Sequence, residues 1–108
     1  MTTSEMLEII RNGENSYTEF KLDSIGPNEL AEVFVGFANS DGGKVLLGVG
    51  DDGDIVGITK DRLEEWVINV CRSNCEPGII PFIETFFRQS LKLTIKVAVE
   101  MSLNPDSS

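Results

Sequence analysis

The stretch from Glu14 to Gly57 reads ENSYTEFKLDSIGPNELAEVFVGFANSDGGKVLLGVGDDGDIVG and decides the fold. Its first part, Ser16 to Asp23, predicts a strand, because Thr18, Phe20 and Leu22 share one face and alternate with Tyr17, Glu19, Lys21 and Asp23 on the other. Glu19 and Lys21 are therefore expected to project together. Apolar residues at helical spacing then predict an amphipathic helix from Asn28 to Asn39. The apolar run inside Lys44 to Val49 predicts an inner strand that is covered on both faces.

Two further helices and three further strands are predicted around these elements. The helices cover Ser4 to Asn12 and Lys60 to Asn74, and the strands cover Ile55 to Ile58, Pro81 to Phe87 and Leu91 to Met101. The fold class that we expect is α+β: a mixed sheet of about five strands with three helices packed against it. Residues 1–103 would form a single domain, and residues 104–108 would form a disordered tail.

Length and composition are those of an ordinary globular domain. The chain has 108 residues, of which 41% are hydrophobic and 25% are charged, and this length suits one hydrophobic core. No run approaches the ~20 apolar residues that a membrane-spanning helix needs. The first ten residues lack the basic segment of a signal peptide. We therefore expect a cytoplasmic protein without a membrane partner.

The charge balance limits the classes of function. Eighteen acidic residues against nine basic ones give a net charge of −9, which argues against broad contact with a phosphate backbone. The absence of histidine excludes Ser-His and Cys-His nucleophile pairs. Cys71 and Cys75, four residues apart, are expected to be reduced thiols on or near one helix face rather than metal ligands.

Several separate pieces of the quoted stretch occur in an order that is similar to a known family. They are Glu14 with Glu19-Phe20-Lys21, Phe37-Ala38-Asn39-Ser40 with Gly42-Gly43, and Leu47-Gly48-Val49 with Asp51-Asp52-Gly53 and Ile55-Val56-Gly57. This pattern resembles the Schlafen-type AlbA-like domain, which also occurs at the N-terminus of RecG-related helicases and transcriptional regulators. The resemblance implies that the chain is the N-terminal part of a longer protein.

The resemblance also implies a set of site residues. In the nuclease branch of the Schlafen group, three acidic positions bind a divalent metal and cut RNA, and these positions match Glu14, Glu19 and Asp51, with Asp52 as the alternative to Asp51. Carboxylates are hard oxygen ligands that suit Mg²⁺ or Mn²⁺. The alternative interpretation is that they are solvated charges, because Asp is common in hairpin turns and Glu19 can pair with a lysine on the surface.

Five further residues are candidates for contact with a nucleic acid. Lys21 either faces a substrate phosphate or simply neutralises Glu19. The turn that follows the second predicted helix either presents backbone N–H groups to an anion or only stops the helix before a tight entry into the next strand. The residues of this turn in question are Asn39, Ser40, Gly42 and Gly43.

Three functions remain open at this point. The first is a nucleic-acid-binding module of a transcriptional regulator or RecG-related protein, which as an isolated domain would bind DNA or RNA weakly. The second is a divalent-metal-dependent endoribonuclease that uses the three carboxylates. The third is a non-catalytic interaction or dimerisation domain, in which the chain would form a homodimer.

Overall fold

The computed structural model describes residues 2–40, 42–76, 78–90, 93–97 and 99–101, with side chains up to residue 86. Three helices and five strands lie within these residues. In chain order they are α1 (Thr3–Asn12), β1 (Thr18–Lys21), α2 (Pro27–Ala38), β2 (Gly43–Leu47), α3 (Leu63–Ser73), β3 (Phe86–Ser90), β4 (Leu93–Val97) and β5 (Val99–Met101). The predicted tail at 104–108 lies outside the described residues.

The strands form two sheets rather than one. In the first sheet β2 lies between β1, which runs parallel to it, and β5, which runs antiparallel. β3 and β4 pair with each other in a separate antiparallel sheet. The predicted single sheet of about five strands is therefore wrong, although the chain is a mixed α+β fold. Alternation along 91–101 indicates which residues share a face, but it does not reveal that β4 and β5 pair with different strands.

β2 is covered on both faces, as its apolar run predicts. Val45, Leu46 and Leu47 are completely buried, and they alternate between two hydrophobic cores. The first core lies on the side of α2 and α3 and contains Ile25, Leu30, Ala31, Phe34, Phe37, Val45, Leu47, Val67, Val70, Cys71 and Cys75. The second core lies on the side of α1 and contains Met6, Ile10, Phe20, Leu46, Val49 and Phe86.

Gly48 breaks this alternation directly after β2. Continued alternation would place Val49 in the first core with Leu47, yet Val49 packs in the second core. Gly48 has a φ of +96°, which glycine adopts readily because it has no Cβ. Its backbone therefore turns the chain so that the residues after it form a loop at the end of the sheet.

The predicted helix α2 and the predicted strand β1 are confirmed with small changes at their ends. Pro27 occupies the first turn of α2, where its missing N–H costs no intrahelical hydrogen bond. α3 begins later than the sequence predicts, at Leu63 instead of about Lys60. Its N-cap residue, Arg62, has a left-handed backbone with φ 53°, so the residues before it cannot continue the helix.

The predicted hairpin after β2 is only partly present. Gly50 and Asp54 close a tight turn through a hydrogen bond of 2.8 Å from the Gly50 N–H to the Asp54 carbonyl. The predicted strand from Ile55 to Ile58 is reduced to one antiparallel bridge between Val49 and Ile55. In the part of the chain that the structure describes, no helix has both the length and the apolar character that crossing a bilayer requires.

Candidate functional site

A cleft of about 240 Å³ opens where the parallel strands β1 and β2 end. Its walls are the end of β1 with the loop that follows it, the loop after β2, and the first turn of α2. The residues that line it are Lys21, Leu22, Ser24, Ile25, Glu29, Val49, Gly50 and Asp51. In open sheets with parallel strands, ligands bind outside the carboxyl ends of the strands, so this cleft is the natural candidate site.

Lys21 and Glu19 form an ion pair at the edge of the cleft. Their side chains lie on the same face of β1, with 3.5 Å between Lys21 Nζ and Glu19 Oε1, and are 28% and 33% exposed. The prediction that they project together is confirmed, and Lys21 has the neutralising contact with Glu19 that the sequence suggested. Lys21 is also one of the residues that line the cleft, so this ion pair involves a residue of the candidate site.

Glu14 precedes a tight turn at the start of β1. Directly after it, Asn15 and Thr18 form an isolated antiparallel bridge and exchange two backbone hydrogen bonds of 3.1 and 3.3 Å. The side chain of Glu14 is exposed. That Glu14 and Glu19 act together stays a prediction.

Asp51 and Asp52 have different roles in the acidic turn. The Asp52 carboxylate accepts a hydrogen bond of 3.0 Å from the Asp54 N–H, which supports the turn itself. Asp51 is exposed and lines the cleft with Lys21. Of the two aspartates, Asp51 is therefore the one that is placed to contact a ligand.

The predicted metal site would need Glu14, Glu19 and Asp51 to converge on one ion. Among residues 2–40, 42–76 and 78–86, no group of three or more His, Cys, Asp or Glu side chains is placed to hold a metal ion. Glu19 lies within β1, whereas Asp51 lies at the cleft beyond its end. A Mg²⁺ or Mn²⁺ site at these residues stays a prediction, and no reaction step follows from it.

The turn from Asn39 to Gly43 lies at the other end of β2 from the cleft. The N–H groups of Asn39, Ser40 and Gly42 donate to the carbonyls of Val35 or Phe37, at 2.9, 3.1 and 3.1 Å. The Ser40 hydroxyl also donates to the Phe37 carbonyl, at 3.1 Å. These three N–H groups close the end of α2. An anion-binding role for Asn39, Ser40, Gly42 and Gly43 stays a prediction.

Asp23 is a residue that the sequence did not single out. It is only 6% exposed, and its carboxylate accepts hydrogen bonds of 2.7 Å from the backbone N–H groups of both Thr59 and Lys60. The Thr59 hydroxyl adds longer contacts of 3.3 and 3.4 Å. Alternation along the predicted strand places Asp23 on the same face as Glu19 and Lys21, so the pattern does not predict a buried carboxylate. Its partners lie 36 and 37 residues away, so no local pattern predicts these bonds either.

The two cysteines are buried free thiols. Burial, and to a smaller degree the neighbouring Cys75, raise the pKa of Cys71 to about 12, and burial raises the pKa of Cys75. Both shifts favour the protonated thiol. Since the thiolate is the nucleophile and the metal ligand, burial lowers the reactivity of both cysteines.

A second groove of about 440 Å³ lies between α3 and the segment 78–81. It is lined mainly by apolar residues, including Ile68, Ile79 and Ile80, with Arg72 as a cation. None of its lining residues belongs to the acidic and glycine-containing pieces that the sequence singles out. The cleft at the end of β1 and β2 is therefore the stronger candidate for function.

Comparison with known proteins gives one clear finding. No curated protein matches the chain. The family model described as "Schlafen, AlbA_2" matches residues 14–107, and this range includes every residue of the cleft. The match begins at Glu14 and covers both parallel strands, α2, α3 and the acidic turn. The chain therefore belongs to the Schlafen AlbA_2 family.

Proposed function

We propose that this domain binds nucleic acid in the cleft at the ends of β1 and β2. Membership of the Schlafen AlbA_2 family fits a nucleic-acid-binding module. The observation that supports the cleft is the position of Lys21, which is one of its lining residues and whose ammonium group is paired with Glu19. A half-buried, ion-paired lysine loses less side-chain freedom on binding a phosphate than a fully exposed one.

The charges around Lys21 set the expected strength of binding. Two carboxylates, Glu29 and Asp51, line the same cleft, and the whole chain has a net charge of −9. Glu29 lies in the first turn of α2, where its negative charge stabilises the helix. Few phosphates can be neutralised on such a surface, so the isolated domain should bind weakly, with an affinity that falls as salt rises.

The first experiment replaces Lys21 with glutamine. Binding of fluorescently labelled single- and double-stranded RNA and DNA oligonucleotides is followed by anisotropy over a series of salt concentrations. Because one phosphate contact is lost, Lys21→Gln should weaken binding. It should also reduce the slope of log K against log salt by about 0.9 for duplex DNA or about 0.7 for single strands.

Arg62→Asn is the matched control for Lys21→Gln. It removes the same charge from a side chain that is 82% exposed and has only a long surface contact of 3.9 Å with Glu65. Asparagine also tolerates the left-handed backbone of Arg62. Equal losses of affinity in both variants would assign the effect to net charge and not to the cleft. Absence of binding by the unaltered protein to all four probes would refute the proposal.

The second candidate function is a metal-dependent ribonuclease. Two of the three carboxylates support it, because Asp51 lines the cleft and Glu19 pairs with Lys21, a residue of the same cleft. The test incubates end-labelled RNA with the protein in Mg²⁺, in Mn²⁺ or in EDTA. If the activity exists, Glu19→Gln and Asp51→Asn should each lower the metal-dependent cleavage rate by at least about 100-fold, in the range of essential catalytic groups.

Glu8→Gln is the control for the ribonuclease test, since Glu8 is exposed on α1. Cleavage that survives EDTA, or that Glu8→Gln reduces equally, would point to a contaminating nuclease. RNA that stays intact with either metal would remove this candidate while leaving the binding proposal standing. The regulatory or RecG-related context and the dimerising role both stay predictions.

A further inference from the structure

We infer that Asp23 is a positioning residue for the cleft: its carboxylate joins the loop after β1, which forms one wall, to residues 59 and 60, and hydrogen bonds of the neighbouring residues 56 and 57 lead on to the opposite wall. The inference rests on the proposed function for the identity of the ligand, but not for the geometry. Asp23 itself does not line the cleft, whereas Leu22 and Ser24 on either side of it do. Its side chain is instead bonded to Thr59 and Lys60.

The Asp23 carboxylate is buried and accepts two short hydrogen bonds. A buried carboxylate is costly unless it is hydrogen-bonded, and Asp23 meets this need with two backbone N–H donors at 2.7 Å. Hydrogen bonds to an ionised group are shorter and stronger than neutral ones. The loop after β1 is closed further by a bond of 3.2 Å from the Ile25 N–H to the Leu22 carbonyl. This wall of the cleft is therefore fixed at two points.

The segment that Asp23 holds is connected in turn to the opposite wall. The N–H groups of Val56 and Gly57 donate to the Gly48 carbonyl at 2.9 and 2.8 Å, and the Gly48 N–H donates to the Lys21 carbonyl at 2.8 Å. Gly48 directly precedes Val49, Gly50 and Asp51, which form the second wall. These hydrogen bonds connect segment 56–60 to both walls of the cleft, and Asp23 provides the link that crosses between distant parts of the chain.

Lys60 anchors the far side of this link. Its backbone N–H is bonded to Asp23, and its ammonium group lies 4.6 Å from the centre of the Trp66 ring, within the range of a cation–π contact. Trp66 packs against the first core. Residues 59 and 60, which are bonded to Asp23, are therefore attached to α3. This attachment sets the position of the loop after β1 relative to the first core.

The test uses Asp23→Asn, which keeps the shape of the side chain but removes its charge. The N–H groups of Thr59 and Lys60 both donate to the same oxygen, Asp23 Oδ2. In the variant they would donate to a neutral amide oxygen, which makes both bonds weaker. Hydrogen–deuterium exchange should show faster exchange in residues 22–25 and 56–60, with α2 unchanged. Affinity for the best-binding oligonucleotide should fall by at least about fivefold, the loss of roughly 1 kcal/mol of positioning.

Two further variants separate positioning from loss of stability. Thr59→Ala removes only the long hydroxyl contacts and keeps the backbone donor, so affinity should change by less than about twofold. Val70→Ala removes packing in the first core, where Val70 is 2% exposed, and should lower stability without weakening binding at a temperature where the protein stays folded.

The outcomes distinguish this inference from the proposed function. If hydrogen–deuterium exchange in Asp23→Asn rises evenly over the chain, or if Val70→Ala weakens binding as much as Asp23→Asn does, Asp23 is a structural residue and the inference is overturned. If the unaltered protein binds no oligonucleotide, the proposed function fails, and local exchange alone still decides whether Asp23 fixes the cleft walls.

Discussion

At the scale of single residues, Gly43 is required by a contact and not by an unusual backbone. It is absent from the glycines with positive φ, but a Cβ at this position would collide with the Phe37 ring. Gly43→Ala should therefore lower the free energy of unfolding by about 1–3 kcal/mol, the typical cost of overpacking. Urea denaturation of the variant and the unaltered protein measures this difference.

Gly36 provides the control for this prediction. It lies inside α2, and a Cβ there would have no neighbouring atom within 4 Å. Gly36→Ala should raise the free energy of unfolding by about 1 kcal/mol, because alanine is the better helix former. A neutral Gly43→Ala would show that Phe37 can move aside, and the contact would then not explain the glycine.

The candidate site could be predicted from the sequence only where its residues are close along the chain. Glu19 and Lys21 are two apart on a strand, and their ion pair follows from alternation alone. The position of Asp51 near Lys21 depends on the parallel register in which Lys21 lies opposite Leu47. That register, like the bonds of Asp23 to Thr59 and Lys60, is set by tertiary packing, which no local pattern encodes.

At the scale of elements, the helices were easier to predict than the strand pairings. The amphipathic spacing and Pro27 located α2 almost to the residue, because a helix satisfies its backbone hydrogen bonds internally. The Asp-Gly turn after β2 predicts a hairpin with a full return strand, and that return strand is absent from the described residues. The turn exists, but Val56 and Gly57 donate to the Gly48 carbonyl and do not extend a ladder, so one bridge replaces the predicted strand.

The start of α3 is a second feature that local sequence patterns do not predict correctly. Thr59 directly precedes the predicted start of this helix at Lys60, and threonine is a good N-cap residue. The structure instead uses the Thr59 N–H and hydroxyl to bind Asp23, and the helix begins four residues later, at Leu63. A threonine before a helix can either cap that helix or donate hydrogen bonds to a carboxylate far away in the chain. The sequence alone does not distinguish these two roles.

At the scale of the whole molecule, the two cores share one strand. Val45 and Leu47 point into the first core and Leu46 into the second, so losing either core would uncover one face of β2. A strand that is apolar on both faces is unstable with one face in water. The described part of the chain should therefore unfold as a single cooperative unit. A substitution that destabilises one core should destabilise the other core as well.

Met6→Ala tests this coupling, because Met6 is 1% exposed in the second core and Trp66, the single tryptophan, reports on the first core. The variant should lose about 2–5 kcal/mol of the free energy of unfolding, the usual cost of truncating a buried methionine. Urea unfolding followed by Trp66 fluorescence and by far-ultraviolet circular dichroism should give coincident curves in both proteins, with the same shift of the midpoint from either probe. If Met6→Ala shifted the circular dichroism curve and left the Trp66 transition in place, the second core would unfold by itself, and β2 would not couple the two halves.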